Sequence, residues 1–397
     1  MKHWPTKLLH ELCEFRHGNT PRKAELRNWG GSFPWVSPKD MRAEIILDSQ
    51  DHLSPEAIAN NRAAIAKKNS LLVVVRSGIL AHTFPVAIAG RDVAFNQDLK
   101  ALRVVSSATT PRYLFRFLQA SSAQILTYGT KRGATVHSLQ SGFLESLPAP
   151  MPSLVEQERI VNLLDEADEL RKLSAQADRR TNALIPSLFQ EMINENAKKP
   201  HDRVKLEQVA EVVSGVAKGR KFNGRQPVEV PYLRVANVQA GYLDLSEIKT
   251  IQALPEEVEV LALRKGDVLL TEGGDFDKLG RGAMLEQDLP ICIYQNHVFR
   301  VRVEQSKLNP VYFAKFLLTG EARGYFLGCA KRTTNLASIN MTQLRALPVP
   351  LPPLPLQKEF AARVSEVQAL QVAQAASHRR LDDLFASILD KAFKGSL

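Results

Sequence analysis

One stretch in the second half of this sequence carries side chains suited to contact a polyanion. Residues 216–225 contain Lys218, Arg220, Lys221 and Arg225 among glycines, with no acidic residue between them. Lysine and arginine bind phosphate oxygens, and glycine allows a backbone to approach a ligand closely. This chemistry predicts that the stretch contacts a phosphate backbone, although a solvated surface loop would have the same composition.

A second basic stretch lies near the start of the chain and is partly neutralised by Glu25. Its basic residues are Arg16, His17, Arg22, Lys23 and Arg27. Two further cationic pairs, each followed by small or hydroxyl residues, match each other between the two halves of the chain: Lys131-Arg132 and Lys331-Arg332. Side chains and backbone amides of this kind suit phosphate contacts. We predict DNA contact for all of these cations except His17 and Arg27, while a shared structural need would explain the matching pairs equally well.

Amide and aromatic residues also match between the halves, and for these we favour a structural role. Amides pair with adenine edges in DNA. Amides beside a strand also satisfy the edge of a sheet, and large aromatics are usually buried. The matching residues are Asn96-Gln97 with Gln295-Asn296, and Trp35 with Tyr232.

Catalytic signatures are weak in this sequence. Asp165–Asp168 spells a helicase-like acidic box, yet no phosphate-binding glycine loop accompanies it and its spacing is helical. Asp275 and Asp277 resemble a magnesium-binding pair, but a loop is the better interpretation. We find no metal-ligand spacing, nucleophile elbow or methyltransferase motif. The sequence therefore predicts no catalytic, metal-binding or cofactor-binding site.

Composition is consistent with a globular protein of two or three domains that binds an anionic partner, with nucleic acid favoured over a membrane surface. The 397 residues carry a formal charge of +10, and 44% are hydrophobic. No apolar run reaches 18 residues, and the amino terminus does not resemble a signal peptide. Cys13, Cys292 and Cys329 are too few and too scattered to suggest disulfides. We expect buried thiols and a cytoplasmic location.

The sequence contains an internal repeat with an offset of 200 residues. Residues 147–154, LPAPMPSL, return as LPVPLPPL at 347–354, and Gln157 corresponds to Gln357. So long a period indicates a duplicated domain rather than a solenoid repeat. In both copies the prolines predict an extended approach to a helix.

Each copy mixes short strands with helices, which predicts an α+β domain followed by a long helix. An apolar stripe is predicted on the first helix by Ile160, Leu163, Leu164, Ala167, Leu170, Leu173, Leu184, Leu188 and Met192. A second is predicted on the other helix by Phe360, Val364, Val367, Leu370, Leu381, Leu384, Ile388 and Ala392. Such stripes need partners, and antiparallel pairing of the two helices would relate the copies by a pseudo-twofold axis. The predicted boundaries are domain 1 at 1–150, helix 1 at 151–197, domain 2 at 198–350 and helix 2 at 351–397, with a linker near 194–203.

These features together resemble the specificity (S) subunit of type I restriction-modification enzymes. The resemblance spans the chain and rests on Gly18-Asn19-Thr20-Pro21, Trp29-Gly30-Gly31, Phe33-Pro34-Trp35-Val36, Phe95-Asn96-Gln97-Asp98 and the two proline elements with their helices. Copy two departs from the opening motif with Ser214-Gly215-Val216-Ala217 and Pro231-Tyr232-Leu233-Arg234. The departures put residue-by-residue transfer in doubt.

The resemblance implies two tandem target-recognition domains, each reading half of a bipartite, asymmetric double-stranded DNA target. It implies an antiparallel coiled coil that sets the distance between the half-sites. It further implies a non-catalytic subunit that recruits two adenine-methyltransferase subunits using S-adenosylmethionine. Restriction subunits, where present, would use ATP and magnesium. Two alternatives stay open from the residues alone: a stand-alone, repressor-like DNA-binding protein and an unrecognised nuclease.

Overall fold

The computed structural model divides the chain into two units. It describes residues 4–60, 62–133, 135–195, 201–274, 279–332 and 337–397. Unit 1 joins Met1–Ala175 with Ala376–Leu397, and unit 2 is Gln176–Ala375. Each long helix therefore begins in one unit and ends in the other. The predicted boundaries treated the helices as separate segments, whereas each unit combines one α+β domain with parts of both helices.

Unit 1 is built around short strands in several small sheets. The strands are β1 (Thr6–Leu8), β2 (Cys13–His17), β3 (Trp29–Val36), β4 (Ile45–Ile46), β5 (Asp51–Leu53), β6 (Ile65–Ala66), β7 (Leu71–Val74), β8 (Arg76–Ser77), β9 (Val86–Ala89), β10 (Val93–Phe95), β11 (Leu99–Val104), β12 (Thr130–Lys131), β13 (His137–Leu139) and β14 (Pro148–Pro150). The sheets have the orders β2-β11-β7-β9-β4, β5-β3-β10-β6, β12-β13-β8 and β1-β14. Strands β7 and β9 form from two short apolar runs of the sequence.

The helices of unit 1 cover the sheets and supply much of its core. They are α1 (Leu9–Leu12), α2 (Pro55–Ala59), α3 (Pro111–Ala120), α4 (Ser122–Tyr128) and the first part of α5 (Leu154–Phe189). Helix α3 begins at Pro111, because the hydroxyl of Thr110 accepts from the amide of Tyr113 and proline suits the first turn of a helix. All four residues of β7 are buried, as expected for a central strand.

Unit 2 repeats this arrangement with fewer strands in its main sheet. Its strands are β15 (Arg203–Lys205), β16 (Ala210–Ser214), β17 (Val228–Leu233), β18 (Lys249–Ala253), β19 (Val268–Thr271), β20 (Gly273–Gly274), β21 (Gly282–Met284), β22 (Ile293–Tyr294), β23 (Val298–Val303), β24 (Lys331–Arg332), β25 (Ala337–Ser338) and β26 (Pro348–Pro350). They form sheets of order β16-β23-β19-β21, β18-β17-β22, β20-β25-β24 and β15-β26. The predicted linker is too long, because Arg203 already belongs to β15.

The helices of unit 2 correspond to those of unit 1. They are α6 (Pro255–Leu261), α7 (Pro310–Phe316), α8 (Gly320–Cys329), α9 (Met341–Arg345) and most of α10 (Leu354–Phe393). Asn309 caps α7 by accepting hydrogen bonds from the amides of Val311 and Tyr312. The mixed α+β content predicted for each copy is confirmed.

The two proline elements form edge strands that enter the long helices. Strand β14 pairs with β1, and β26 pairs with β15, in the same antiparallel register relative to their prolines. Proline fits edge strands because it cannot donate a ladder hydrogen bond. The extended approach predicted from the proline spacing is confirmed in both units.

A buried glutamine then ties each helix start to its domain. Gln157 accepts from the hydroxyl of Thr109 at 2.9 Å and donates to the carbonyl of Ala108 at 2.8 Å. Gln357 accepts from the amide of Asn309 at 2.8 Å and donates to the carbonyl of Lys307 at 3.1 Å. Both side chains are almost fully buried, so these bonds fix the helix relative to the sheet.

The two long helices run antiparallel, but the predicted apolar stripe is wrong in its middle. Leu170, Leu173, Leu184, Leu370 and Leu384 are 42–51% exposed. The covered face follows a heptad spacing instead, through polar or charged positions such as 171, 174 and 181 on α5. Leu170 and Leu173 follow Ala167 at successive steps of three residues. A heptad alternates steps of three and four, so repeated steps of three move these side chains off the covered face.

The carboxyl-terminal part of each long helix packs against aromatic residues of the domain in its unit. In unit 1, Phe393 of α10 lies 5.3 Å from the Tyr113 ring and 5.7 Å from the Phe117 ring. In unit 2, Phe189 of α5 stacks on Tyr312 at 5.6 Å. Because α10 ends in unit 1 and α5 ends in unit 2, antiparallel pairing lets each helix stabilise both domains.

Candidate nucleic-acid interface

In unit 1 a turn at Gly18 brings the basic segment near the start of the chain against the loop at residues 95–98. The amide of Asn19 donates to the carbonyl of Phe95 at 3.1 Å, and the hydroxyl of Thr20 donates to the side chain of Gln97. A Cβ on Gly18 would lie 1.8 Å from the carbonyl oxygen of Asn96, so only glycine fits. The indole of the buried Trp35 donates to the carbonyl of Asn19 at 3.3 Å.

The loop at residues 95–98 also contacts strand β8. Strand β8 belongs to the same sheet as β12, which contains Lys131 of the Lys131-Arg132 pair. The carbonyl of Asp98 accepts from the amide of Arg76 at 3.2 Å. Arg76 is opposite Ser138, and Ser138 is opposite Lys131. Directly opposed residues share a face of a sheet, so Arg76 and Lys131 lie on one side about 10 Å apart. We call this assembly of 18–23, 96–98, β8, β12 and β13 surface A.

The cations predicted for unit 1 are exposed. The side chain of Arg22 is 88% exposed, and its Nη1 lies 3.8 Å from Oε1 of Glu25. Arg16 pairs with Glu14 at 2.9 Å, and both residues belong to strand β2. Lys23, Lys131 and Arg132 are exposed as well. Backbone contacts thus link the loop that carries Arg22 and Lys23, through residues 95–98 and strand β8, to the sheet that carries Lys131, while Arg16 lies on edge strand β2.

Unit 2 builds an equivalent surface with the same backbone contacts. The amide of Val216 donates to the carbonyl of Tyr294 at 3.0 Å, and the amide of Asn296 returns a bond to Val216 at 2.9 Å. A Cβ on Gly215 would lie 2.0 Å from the carbonyl oxygen of Tyr294, which again requires glycine. The basic segment 216–225 is therefore anchored beside the 295–297 turn.

Unit 2 also contains the equivalent three-stranded sheet, β20-β25-β24. The amide of Glu272 donates to the carbonyl of His297 at 3.0 Å, and Gly273 is opposite Ser338, which is opposite Lys331. We call the assembly of 215–225, 295–297, β20, β24 and β25 surface B. Strand register places Lys331 at the position that Lys131 occupies on surface A.

Two arginines of surface B are held by acids that the local sequence does not show. Arg220 donates both guanidinium branches to Glu257, and Arg225 pairs with Glu256, both acids being in α6. The hydrogen bond from Arg220 holds the pKa of Glu257 below its usual value. Lys218 and Lys221 are exposed. The segment is therefore less basic in the fold than in the sequence.

Several predicted residues lie outside the described part of the chain. The side chains of Lys331 and Arg332 are not described, nor are Ala134, the hydroxyl segment 333–336, or the acid pair Asp275 and Asp277. DNA contact by Lys331 and Arg332 accordingly stays a prediction.

Among the residues that match between the copies, Asn96, Trp35 and Tyr232 have the structural roles that were predicted. Asn96 is buried, and its side chain donates to Asp98 at 3.1 Å. The backbone of Gln295 extends the sheet by donating to the carbonyl of Leu233 at 2.9 Å. Trp35 and Tyr232 are both 4% exposed. Asn96, Trp35 and Tyr232 therefore support the two surfaces from within, whereas the side chain of Gln97 is exposed.

The acidic box has a structural role too. Asp165 lies within α5 and accepts hydrogen bonds from Arg112 and Arg116 of α3, and Asp168 pairs with Lys172 at 2.7 Å. Burial favours the neutral acid of Asp168, but Lys172, Arg116 and Arg171 outweigh it and lower its pKa. The box serves to attach α5 to unit 1, and its likeness to a helicase motif is coincidental.

Sequence reasoning missed Arg76, Glu272 and His297, which occupy central places on the two surfaces. The side chain of Arg76 is 63% exposed and that of His297 is 57% exposed. A signal existed in the chain, because Arg76 and Gly273 each directly precede a small residue in corresponding strands. The offset between Arg76 and Gly273 is not 200 residues, however, so the sequence repeat does not align them. Only the strand pairing shows that they correspond.

The described ranges contain neither a metal-ligand cluster nor a membrane-spanning helix. Among these residues no group of three or more His, Cys, Asp or Glu side chains could hold a metal ion. None of the described helices is long and apolar enough to cross a membrane.

Comparison with known sequences identifies the duplicated unit. A family described as "Type I restriction modification DNA specificity domain" matches residues 1–179 and again residues 199–375. The EcoR124I/EcoR124II specificity subunit of Escherichia coli is 34% identical over 165 residues, covering 41% of each chain. The StySPI specificity subunit of Salmonella potsdam is 24% identical, over 72% of this chain and 66% of the relative. The aligned regions therefore span less than two thirds of these two relatives.

Longer matches exist in other relatives and in solved structures. The MjaVIII specificity subunit of Methanocaldococcus jannaschii is 22% identical over 99% of this chain and 93% of its own. A chain from a structural study of a type I restriction-modification system has a TM-score of 0.66 at 18% identity, covering 99% and 98% of the two chains. The S subunit from M. genitalium has a TM-score of 0.55 at 14% identity, covering 98% and 96%. The structural likeness confirms the fold, and the two family matches together show that the chain belongs to the type I restriction-modification DNA specificity family.

Proposed function

We propose that this chain is the DNA-recognition subunit of a type I restriction-modification complex. Each unit would read one half of a bipartite, asymmetric target in double-stranded DNA. The observation that carries the proposal is the recurrence of one loop assembly, surface A and surface B, at the same place in both units. A duplicated reader with different loop residues suits a target with two different halves.

Charge supports DNA as the partner of both surfaces. The chain carries a formal charge of +10, and exposed lysines lie on each surface, including Lys131 on surface A and Lys218 on surface B. Phosphate contacts supply most of the affinity of proteins for DNA and fix the register of the complex. The glycines at 18 and 215 hold the basic segments close against rigid loops, which limits the entropy lost on binding.

The long helices support a role in spacing and assembly. Helices α5 and α10 are 36 and 40 residues long, or roughly 54–60 Å at 1.5 Å per residue. Exposed leucines on their outer faces, among them Leu170 and Leu370, offer apolar contact area. We propose that the helices set the gap between half-sites and bind two adenine-methyltransferase subunits.

Chemistry in this proposal belongs to the partner subunits. The methyltransferase subunits would bind S-adenosylmethionine, and restriction subunits, where present, would use ATP and magnesium. The groups on surfaces A and B are mainly hydrogen-bond donors held on loops, which suits recognition of phosphates and base edges. The chain itself is proposed to be non-catalytic and cytoplasmic.

A methylation map tests the proposal directly. The chain would be co-expressed with a methyltransferase subunit encoded beside it, and adenine methylation would be read across the host genome at single-base resolution. A single motif with specified bases on both sides of a fixed gap would support the proposal. A stable complex that adds no methylation would contradict it and favour a stand-alone DNA-binding protein.

A further inference from the structure

The two copies carry different chemistry at one equivalent place on surfaces A and B. In unit 1 the amide of Val75 donates to the carbonyl of Asp98 at 2.8 Å, and in unit 2 the amide of Glu272 donates to that of His297 at 3.0 Å. These backbone bonds make Val75 equivalent to Glu272 and Asp98 equivalent to His297. The next residue along the strand is Arg76 in unit 1.

A second set of contacts fixes the same alignment. The amide of Leu139 donates to Val75 at 2.8 Å, and that of Ile339 donates to Glu272 at 2.8 Å. Ser138 is opposite Arg76, while Ser338 is opposite Gly273. Arg76 is therefore equivalent to Gly273, and the equivalence does not depend on side-chain likeness.

At this place three equivalent positions carry different side chains in the two copies: Val75 corresponds to Glu272, Arg76 to Gly273, and Asp98 to His297. On surface A the base, Arg76, is on the strand and the acid, Asp98, is on the turn, with 3.9 Å between Nε and Oδ1. On surface B the acid, Glu272, directly precedes strand β20 and the base, His297, is on the turn, with 2.6 Å between Oε2 and Nδ1. Surface A thus presents the donor Arg76 where surface B has Gly273, and surface B presents the acceptor Glu272 where surface A has Val75.

Residues immediately beside this place are the same in both copies. Lys131 and Lys331 each stand opposite a serine, Ser138 or Ser338, in the same sheet. The sugar-phosphate backbone is chemically the same in both halves of an asymmetric target, whereas the bases differ. Positions that keep one cation in both copies therefore suit phosphate contacts, and a position whose chemistry changes suits base contacts.

We infer that Arg76 reads a base in one half-site and that Glu272, oriented by His297, reads a base in the other. Arginine donates two parallel hydrogen bonds to the O6 and N7 of guanine. A carboxylate accepts from the exocyclic amine of cytosine. Arg76 is 63% exposed and only loosely held by Asp98, so its guanidinium can reach outward. This inference rests on the proposed function and assigns specificity within it.

The test compares motifs methylated by the complete complex with unchanged and altered chains. Arg76→Ala should lower discrimination at one position of one half-site about tenfold or more, leaving the other half unchanged. Arg76→Lys keeps the charge but loses the fork geometry, so it should relax the same position. Glu272→Gln should change the base preference at one position of the opposite half-site and leave the rest of the motif unchanged.

Lys131→Ala is the matched control, because Lys131 lies on the same face of the same sheet as Arg76. It should reduce methylation at every target without changing the motif. If Arg76→Ala behaved like Lys131→Ala, or if Arg76→Lys retained the full motif, Arg76 would be a phosphate contact and the inference would be overturned. Retained methylation by each variant shows that its complex is folded. Failure of the unchanged chain to yield any bipartite motif would overturn the proposed function, and this inference with it.

Discussion

Arg116 donates two hydrogen bonds to one oxygen of Asp165, at 3.0 Å from Nε and 2.7 Å from Nη2. The Arg116 side chain is fully buried, and Glu44 also accepts from it at 2.8 Å. The contact joins α3 of the first domain to α5. In unit 1 the helix is thus attached to its domain by charged groups as well as by apolar packing.

Removing one partner should therefore destabilise unit 1. Asp165→Ala leaves the buried guanidinium with fewer acceptors, and we expect a loss of about 2–3 kcal/mol in the free energy of unfolding. Trp4, Trp29 and Trp35 are the three tryptophans of the chain and all belong to unit 1, so tryptophan fluorescence during urea unfolding reports on this unit. Glu166→Ala, at an exposed neighbouring position, should change stability by about 0.5 kcal/mol or less. Equal stability of the two variants would contradict the assigned role.

The buried glutamines should matter equally in the two units. Gln157→Ala and Gln357→Ala each leave a buried backbone carbonyl and a further group without their partner. We expect each change to cost about 2–3 kcal/mol of unfolding free energy. Native-state hydrogen exchange provides the measurement, because the amide of Asn309 donates to Gln357 and should exchange faster in Gln357→Ala. Lys358→Ala, at the next and exposed position, serves as the control. An unchanged Asn309 exchange rate would contradict the proposed anchoring.

The cysteines give a prediction on reactivity. Burial raises the pKa of Cys13 to about 12 and that of Cys292 to about 11, and it also raises the pKa of Cys329. A raised pKa keeps the thiol protonated at pH 8, and the thiolate is the reactive form. Cys13 and Cys292 should therefore react with a disulfide reagent only after unfolding. Rapid labelling of either one in the folded chain would show that its thiol is accessible.

The ion pairs of α6 change the prediction for the basic segment of surface B. Lys218 is exposed, so Lys218→Ala should lower the slope of log affinity against log salt by about 0.9, the value for one phosphate contact. Arg220 already pairs with Glu257, so Arg220→Ala should lower it by less than half as much. Fluorescence anisotropy with a non-specific DNA duplex, between about 50 and 200 mM salt, gives both slopes. An unchanged slope for Lys218→Ala would remove that residue from the interface.

The parts of the fold that the sequence predicted are those set by local chemistry. Prolines at 148, 150, 348 and 350 favour extended backbone in the residues that precede them, and the apolar periodicity that follows them indicates the long helices. Cores around Trp35 and Tyr232 follow from hydrophobic burial. Local rules therefore sufficed for the repeat, the domain type and the helices.

What the sequence did not predict depends on residues brought together from a distance. Glu257 lies 37 residues from Arg220, so no local pattern shows that they pair. The leucines of α5 were assigned to its covered face because they recur at helical spacing, yet Leu173 is 51% exposed. Only packing against α10 decides which face of an amphipathic helix is covered. The importance of Arg76 likewise required the strand register.

A domain exchange tests the central claim, that each unit reads one half of the target. Residues 1–150 would be replaced by the corresponding domain of a relative with a different target, while both long helices are kept. The methylation map of the resulting complex should differ from the original in one half-site only, with the gap and the other half unchanged. A change in both halves, or an unchanged motif, would contradict the claim.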